Sequence, residues 1–224
     1  MIDIVCTCYD VNEFKTQAEF YNKFKFDYPV HFITNFEDEN QIKSISQETG
    51  LNINWLQYNP GKHMGAFALA SSANELLTHD YVLHYHADMM FRDINDIDWM
   101  VKEFIQSNKK LAGIPRQWMF DNNYNLIDNK SLPIRSEFFF ITKDLYNKIF
   151  NLDNYNDIAD KCINNGHPSL HFEPLIYAGL ELNKIGVAKE IHYLEGIKEL
   201  KDKYKDNLVY YNTMFERTGM LRLK

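Results

Sequence analysis

Residues 81–93 read Tyr-Val-Leu-His-Tyr-His-Ala-Asp-Met-Met-Phe-Arg-Asp, and this stretch decides the fold. Its first half is apolar and β-prone, and it follows a helix-like segment that runs out at Thr78-His79-Asp80. That pattern predicts a buried central strand. Side chains on a strand alternate between faces, so His84, His86 and Asp88 are expected on one side. Three potential metal ligands at the C-terminal end of a buried strand point to a ligand site, because open α/β sheets bind ligands beyond that end.

Working outward, the chain alternates strand and helix. Residues 2–8 read as a first strand. Asp10 stands in position to cap the next helix, with Glu13 three residues on in capping-box position, and Phe14, Ala18 and Tyr21 recur at helical spacing to about Phe24. A second strand is predicted over Val30–Thr34, then a polar helix carrying Ile42 and Ile45 and stopped near Gly50. A third strand spans Ile53–Tyr58, Asn59-Pro60-Gly61 turns, and a small-residue helix runs from about His63 to Leu77. Beyond the decisive strand, Ile94, Ile97, Val101, Phe104 and Ile105 mark an amphipathic helix, and Leu111–Ile114 a short strand ended by Pro115. This rhythm predicts a three-layer α/β fold, with a mainly parallel central sheet and helices on both faces.

The second half breaks the rhythm. Gln117–Phe120 and Tyr124–Ile127 flank Asp121-Asn122-Asn123, the pattern of a hairpin insert. Ser136–Ile141 reads as a strand with three consecutive Phe, Thr142 as the cap of a helix to about Phe150, and residues 155–164 as a further helical piece. Pro174 opens a helix to Lys184, Val187–Tyr193 is a strand, and the tail from Gly196 is charged. No repeat or linker divides the 224 residues, so a single domain is expected over 1–224, with halves at 1–115 and 116–195 and a tail at 196–224.

The formal net charge of −7 argues against a nucleic-acid partner, which calls for a basic surface. Aromatic residues make up 15%, a supply of both core area and stacking surfaces. Cys6, Cys8 and Cys162 are an odd count without a disulfide framework, and Cys6 and Cys8 read as buried thiols. Met1 leads almost directly into the first strand and no apolar run has the length of a membrane span. The expectation is a cytoplasmic protein.

The order of elements resembles the nucleotide-sugar-dependent glycosyltransferases of the GT-A fold, family 2-like, over residues 1–195. Four places carry the likeness: Thr7-Cys8-Tyr9-Asp10 after the first strand, Lys62-His63-Met64-Gly65 with Ala70 and Asn74, the strand and acidic motif of Tyr81–Phe91, and Phe172-Glu173-Pro174 with Leu180 and Gly186. The resemblance implies that 1–115 is a nucleotide-binding half and 116–195 an acceptor-side half. It implies nucleotide-sugar contacts from Thr7, Tyr9, Asp10, Asn35, Lys62, Gly65, Asn74, His86 and Asp88. Where the family carries Asp-x-Asp, this chain reads His86-Ala87-Asp88. Asp88 inherits the divalent metal that holds the diphosphate, His86 is its variant partner, and His192 resembles a C-terminal histidine that some members add. Oxygen ligands suit Mn²⁺ or Mg²⁺, and an imidazole shifts preference towards Mn²⁺. The acid usual after the second strand is displaced, with Asn35-Phe36-Glu37-Asp38 in its place.

The implied reaction moves a sugar from a nucleotide-diphosphate sugar to a glycan or lipid-linked acceptor, in polysaccharide assembly, with peripheral contact at the inner membrane face. Glu173 is the candidate general base, although an acid just before a proline-started helix also simply complements that helix N-terminus. Trp118 and Tyr124, with Phe120, lie where an acceptor sugar would stack; packing within the hairpin is the plainer use of them. Arg116 and Arg135 border that region, and Arg217, Arg222 and Lys224 form a basic end.

Two alternatives stay open. His84-Tyr85-His86-Ala87-Asp88 also fits the start of a zinc-hydrolase signature, but Met89 stands where its last histidine belongs. A GT-A-like domain that binds without catalysis is the other. Donor, acceptor, stereochemical outcome and oligomeric state are not readable from the residues.

Overall fold

The computed structural model describes residues 1–8, 11–23, 27–35, 38–87, 94–115, 134–157, 160 and 191–193. In chain order these form β1 (Ile2–Cys8), α1 (Val11–Lys23), β2 (Val30–Thr34), α2 (Glu39–Thr49), β3 (Ile53–Trp55), α3 (Lys62–Ser72), β4 (Tyr81–His86), α4 (Ile94–Ser107), β5 (Leu111–Pro115), β6 (Ile134–Thr142), α5 (Lys143–Ile149) and β7 (Ile191–Tyr193). The seven strands make one sheet in the order β3-β2-β1-β4-β6-β5-β7. Pairing is parallel except where β6 runs antiparallel between β4 and β5. The expected three-layer, mainly parallel α/β fold is the one observed.

Side-chain alternation divides the core in two. Ile2, Ile4, Cys6, Leu83, Tyr85, Phe138 and Phe140 pack under α1, α2 and α4. Val5, Ile33, Val82, Phe139 and Ile141 pack under α3 and α5. The run Phe138-Phe139-Phe140 therefore serves both layers, which is why β6 tolerates three consecutive aromatics. Every residue of β1 is buried, as expected for a strand covered on both faces.

Several boundaries differ from the sequence reading, each for a local reason. β3 ends at Trp55 rather than Tyr58, after which Leu56 donates one last bond to the Thr34 carbonyl at 2.8 Å. α3 stops at Ser72 and tightens into a 3₁₀ turn over Ala73–Glu75. There Ser72 Oγ donates back to the Leu69 carbonyl at 2.8 Å, a bond that competes with the helix ladder. Thr142 occupies the N-cap position of α5 but caps nothing with its side chain; the Lys143 N–H is held by the Asp80 carbonyl at 2.8 Å instead. α2 buries Ile42 and Ile45 as predicted and ends where Gly50 takes the left-handed conformation (φ 70°); its N-cap, which the sequence reading did not name, is Asp38, accepting from the Asn40 and Gln41 N–H groups. The Asp10 cap, the hairpin insert, the Pro174 helix and the charged tail lie outside the described residues. No helix among the described residues is long and apolar enough to cross a membrane.

Candidate functional site

The chain steps outward from β1 to β2 to β3, then returns to lay β4 on the other side of β1. The sheet order reverses between β1 and β4, and in open α/β sheets the crevice beyond the C-terminal strand ends at such a point is where ligands bind. Thr7 and His86 are register partners there. Asn35 leaves β2 at the same edge, and α3 begins there at Lys62. Of the residues expected to meet a nucleotide sugar, the structure thus gathers Thr7, Asn35, Lys62, Gly65 and His86.

The second side of this edge is built on amides. Asn35 is buried, its Nδ2 donating to the Gly65 carbonyl at 3.5 Å while its own carbonyl accepts from Asn59 Nδ2 at 3.1 Å. Asn59 Oδ1 takes the Gly61 N–H at 3.0 Å. Gly61 precedes α3 at φ 77° and ψ 167°, an extended positive-φ conformation essentially confined to glycine. A Cβ on Gly65 would stand 2.9 Å from Asn59 Oδ1, so glycine is what lets the helix approach. The sequence reading singled out Asn35 and Gly65 but used Asn59 only as part of a turn.

β4 carries two histidines with opposite fates. His84 is buried, its ring stacked at 4.9 Å on Phe139. Its Nδ1 lies 3.0 Å from Tyr146 Oη and its Nε2 3.3 Å from Thr7 Oγ1. Tyr146 gives its own proton to the Ala70 carbonyl, so His84 Nδ1–H donates to Tyr146 and Nε2 accepts from Thr7. Burial, followed by the neighbouring His86, pushes the His84 pKa well below its ordinary value, so the ring is neutral. Both nitrogens are thus engaged, and the zinc-hydrolase alternative, which needs His84 as a ligand, loses its first residue. His86 is half-buried at the strand end, with its ring centroid 6.0 Å from that of His84.

Two expected contacts are redirected. Thr7 is fully buried and its hydroxyl serves His84. Asn74 Nδ2 donates to the Phe150 carbonyl at 2.7 Å, nine residues beyond Gly65 and roughly 13 Å along the helix axis from the site edge. His192 is the register partner of Ala112, which places it level with Phe140 and Leu83 rather than with His86. Three strand spacings, roughly 14 Å, separate the β7 backbone from that of β4.

Among the described residues no three His, Cys, Asp or Glu side chains converge on a metal position. Tyr9, Asp10, Asp88, Trp118, Tyr124 and Glu173 lie outside the described residues.

Ahead of Asp88, the backbone is pinned. The Ala87 N–H donates to the Thr7 carbonyl at 2.8 Å, and the Ala87 carbonyl accepts from Gln17 Nε2 at 2.7 Å. Gln17 belongs to α1 and is buried. Its Oε1 accepts from Tyr85 Oη at 3.0 Å, and Tyr85 Oη lies 2.6 Å from Tyr21 Oη. Sequence reasoning passed over Gln17, although a signal was present: it is a polar residue on the stripe formed by Phe14, Ala18 and Tyr21.

No protein-family model matches this sequence, and none of the curated proteins is similar to it in sequence. Solved structures are similar in fold. A crystal structure of an active-site mutant of LgtC superposes with a TM-score of 0.56 at 9% identity, covering 100% of this chain and 85% of that one. The apo-form glycosyltransferase GlyE of Streptococcus pneumoniae TIGR4 gives 0.51 at 11% identity over 92% of this chain, which spans only 48% of that protein. The 4-diphosphocytidyl-2C-methyl-D-erythritol synthase of Anaerococcus prevotii DSM 20548 gives 0.50 at 10% identity, covering 87% and 86%. The chain thus has the GT-A-like fold.

Proposed function

We propose that this protein is a glycosyltransferase that moves a sugar from a nucleotide-diphosphate sugar to a glycan or lipid-linked acceptor. The observation that supports it is the Thr7–His86 pair at the sheet's switch point, in a GT-A-like strand order, two residues ahead of Asp88. In this reading the nucleotide lies along Tyr9, Asp10, Asn35, Lys62 and Gly65. Thr7, being fully buried, supports the floor through His84 rather than touching the donor, and Asn74 is committed to Phe150.

Asp88, with His86, would hold Mn²⁺ or Mg²⁺, which supplies positive charge against the departing nucleoside diphosphate. Glu173 takes the proton of the acceptor hydroxyl, and Trp118 and Tyr124 stack on the acceptor sugar. The hypothesis places the active protein in the cytoplasm, touching the membrane face where a lipid-linked acceptor is presented.

A thermal-shift and calorimetric screen against UDP- and GDP-sugars, with and without Mn²⁺, tests the reading. Wild type is expected to bind one of them more tightly with Mn²⁺, and Asp88→Ala to abolish that increment while leaving the unfolding midpoint unchanged. No nucleotide binding under any metal would sink the proposal. Binding without turnover would assign the chain to the inactive binding domains, and release of pyrophosphate from a nucleoside triphosphate supplied with a sugar 1-phosphate would assign nucleotidyl transfer.

A further inference from the structure

The last described residue of the β4 end, Ala87, is held from helix α1. Three buried side chains form a directed series. Tyr85 gives its proton to Gln17 Oε1, so at the 2.6 Å contact Tyr21 donates to Tyr85. Gln17 Nε2 then donates to the Ala87 carbonyl at 2.7 Å. The reverse setting of the Gln17 amide would put oxygen against the Ala87 carbonyl, so that carbonyl fixes its orientation. Both tyrosine hydroxyls are buried, and loss of solvation pushes each well above the ordinary phenol value, which keeps them neutral donors. Hydrogen bonds in such a low-dielectric series reinforce one another, and leaving one unmade there is costly.

The series ends on one peptide. Ala87 is held through its N–H by β1 and through its carbonyl by α1, 70 positions away in sequence. It is the last described residue before Asp88 and carries only a methyl group, which packs into the first core layer.

We propose that Gln17 is a positioning residue: by holding the Ala87 carbonyl it fixes how the chain leaves β4 towards position 88, to which the nucleotide-sugar reading assigns the metal–diphosphate group. This rests on the nucleotide-sugar reading above. A site held within about half an ångström needs such a supporting shell, and metal affinity typically falls 10–100-fold when outer partners are lost.

The test uses Gln17→Met, which keeps the volume and removes the amide's bonds to Tyr85 and Ala87, and Tyr85→Phe, which removes only the hydroxyl that donates to the amide oxygen. Amide hydrogen exchange is read over peptides covering 84–92 and over the rest of the sheet. Dissociation constants for UDP and GDP are measured by calorimetry in Mn²⁺ and in a chelator. Exchange over 84–92 is expected to rise about tenfold in Gln17→Met with the other strands unchanged. The affinity gained from Mn²⁺ should fall at least tenfold, while the chelator value stays put. Tyr85→Phe gives the same pattern at smaller amplitude and keeps the test open if Gln17→Met does not fold. Unchanged exchange over 84–92, a uniform rise across the sheet, or an undiminished Mn²⁺ increment each overturns the proposal. If wild type binds neither nucleotide with Mn²⁺, the transferase reading fails, and the exchange pattern alone still decides whether Gln17 fixes that peptide.

Discussion

The two ends of β1 handle buried polarity in opposite ways. At its N-terminal end Asp3 is a closed hub: its carboxylate accepts from His31 Nε2 at 2.9 Å, from the Thr78 and His79 N–H groups at 2.8 and 2.7 Å, and from the Thr78 hydroxyl at 3.2 Å. Those donors fasten β2 and the approach to β4 onto β1, and the carboxylate is wholly covered. At the C-terminal end the amides of Asn35, Asn59 and Gln17 fasten backbone, while half-buried His86 and the start of α3 face the sheet edge. One strand is locked at its foot so that it can be open at its head. Polar burial serves stability at one end and presentation at the other.

The largest expected effect lies at the foot. Asp3→Ala strands several buried donors and should cost about 3–5 kcal/mol, read from urea unfolding with an unchanged slope. Acid reports the same hub. Burial would raise the Asp3 pKa, but the hydrogen bonds from His31, His79 and Thr78 outweigh it and hold the carboxyl below its ordinary value. A depressed folded pKa means that the stabilisation is complete above the unfolded value, near pH 4, and is lost as pH falls through the folded one. The wild-type unfolding midpoint should therefore decline below about pH 4, and Asp3→Asn should flatten that decline. An Asp3→Asn protein as acid-sensitive as wild type would contradict it.

The next effect separates the two histidines of β4. His84→Phe keeps the aromatic stack but leaves the Thr7 hydroxyl buried without its acceptor, at a cost of about 1–2 kcal/mol. His86→Ala should change stability by less than about 0.5 kcal/mol yet reduce Mn²⁺-dependent nucleotide affinity roughly tenfold. If His86→Ala proves the more destabilising of the pair, the division of labour along β4 is wrong.

Much of this was legible in the sequence, for reasons that particular residues make plain. β1, α1, β2, α2 and β4 fall where apolar period and caps place them, because each buries one continuous stripe or face and Gly50 can close α2 in only a few ways. Strand alternation put His84 and His86 on one face, as observed. What alternation could not give is that Thr7 and Tyr146 consume both nitrogens of His84, since those partners come from β1 and α5, 77 and 62 positions away. The same distance hid Asn59 and Gln17, whose roles exist only after β2 meets α3 and α1 meets β4. The register of His192, beside Ala112, was likewise not legible, because a histidine in a late strand says nothing of which strand it will pair with.

Gly65 gives the smallest and most diagnostic effect at the head of the strand. Alanine there gains about 0.5–1 kcal/mol of helix preference. It also sets a Cβ 2.9 Å from Asn59 Oδ1, which is not free to yield because the same side chain holds the Gly61 N–H and the Asn35 carbonyl. Displacing it loosens one or two hydrogen bonds worth about 0.5–1.5 kcal/mol each, so the terms nearly cancel. Gly65→Ala should therefore leave overall stability within about 1 kcal/mol of wild type while weakening nucleotide binding several-fold. The loss should persist in a chelator, since this clamp lies on the β2 side rather than beside Asp88. If the loss appears only with Mn²⁺, the amide clamp and the metal mouth are one unit, and the separation drawn between Asn59 and Gln17 fails.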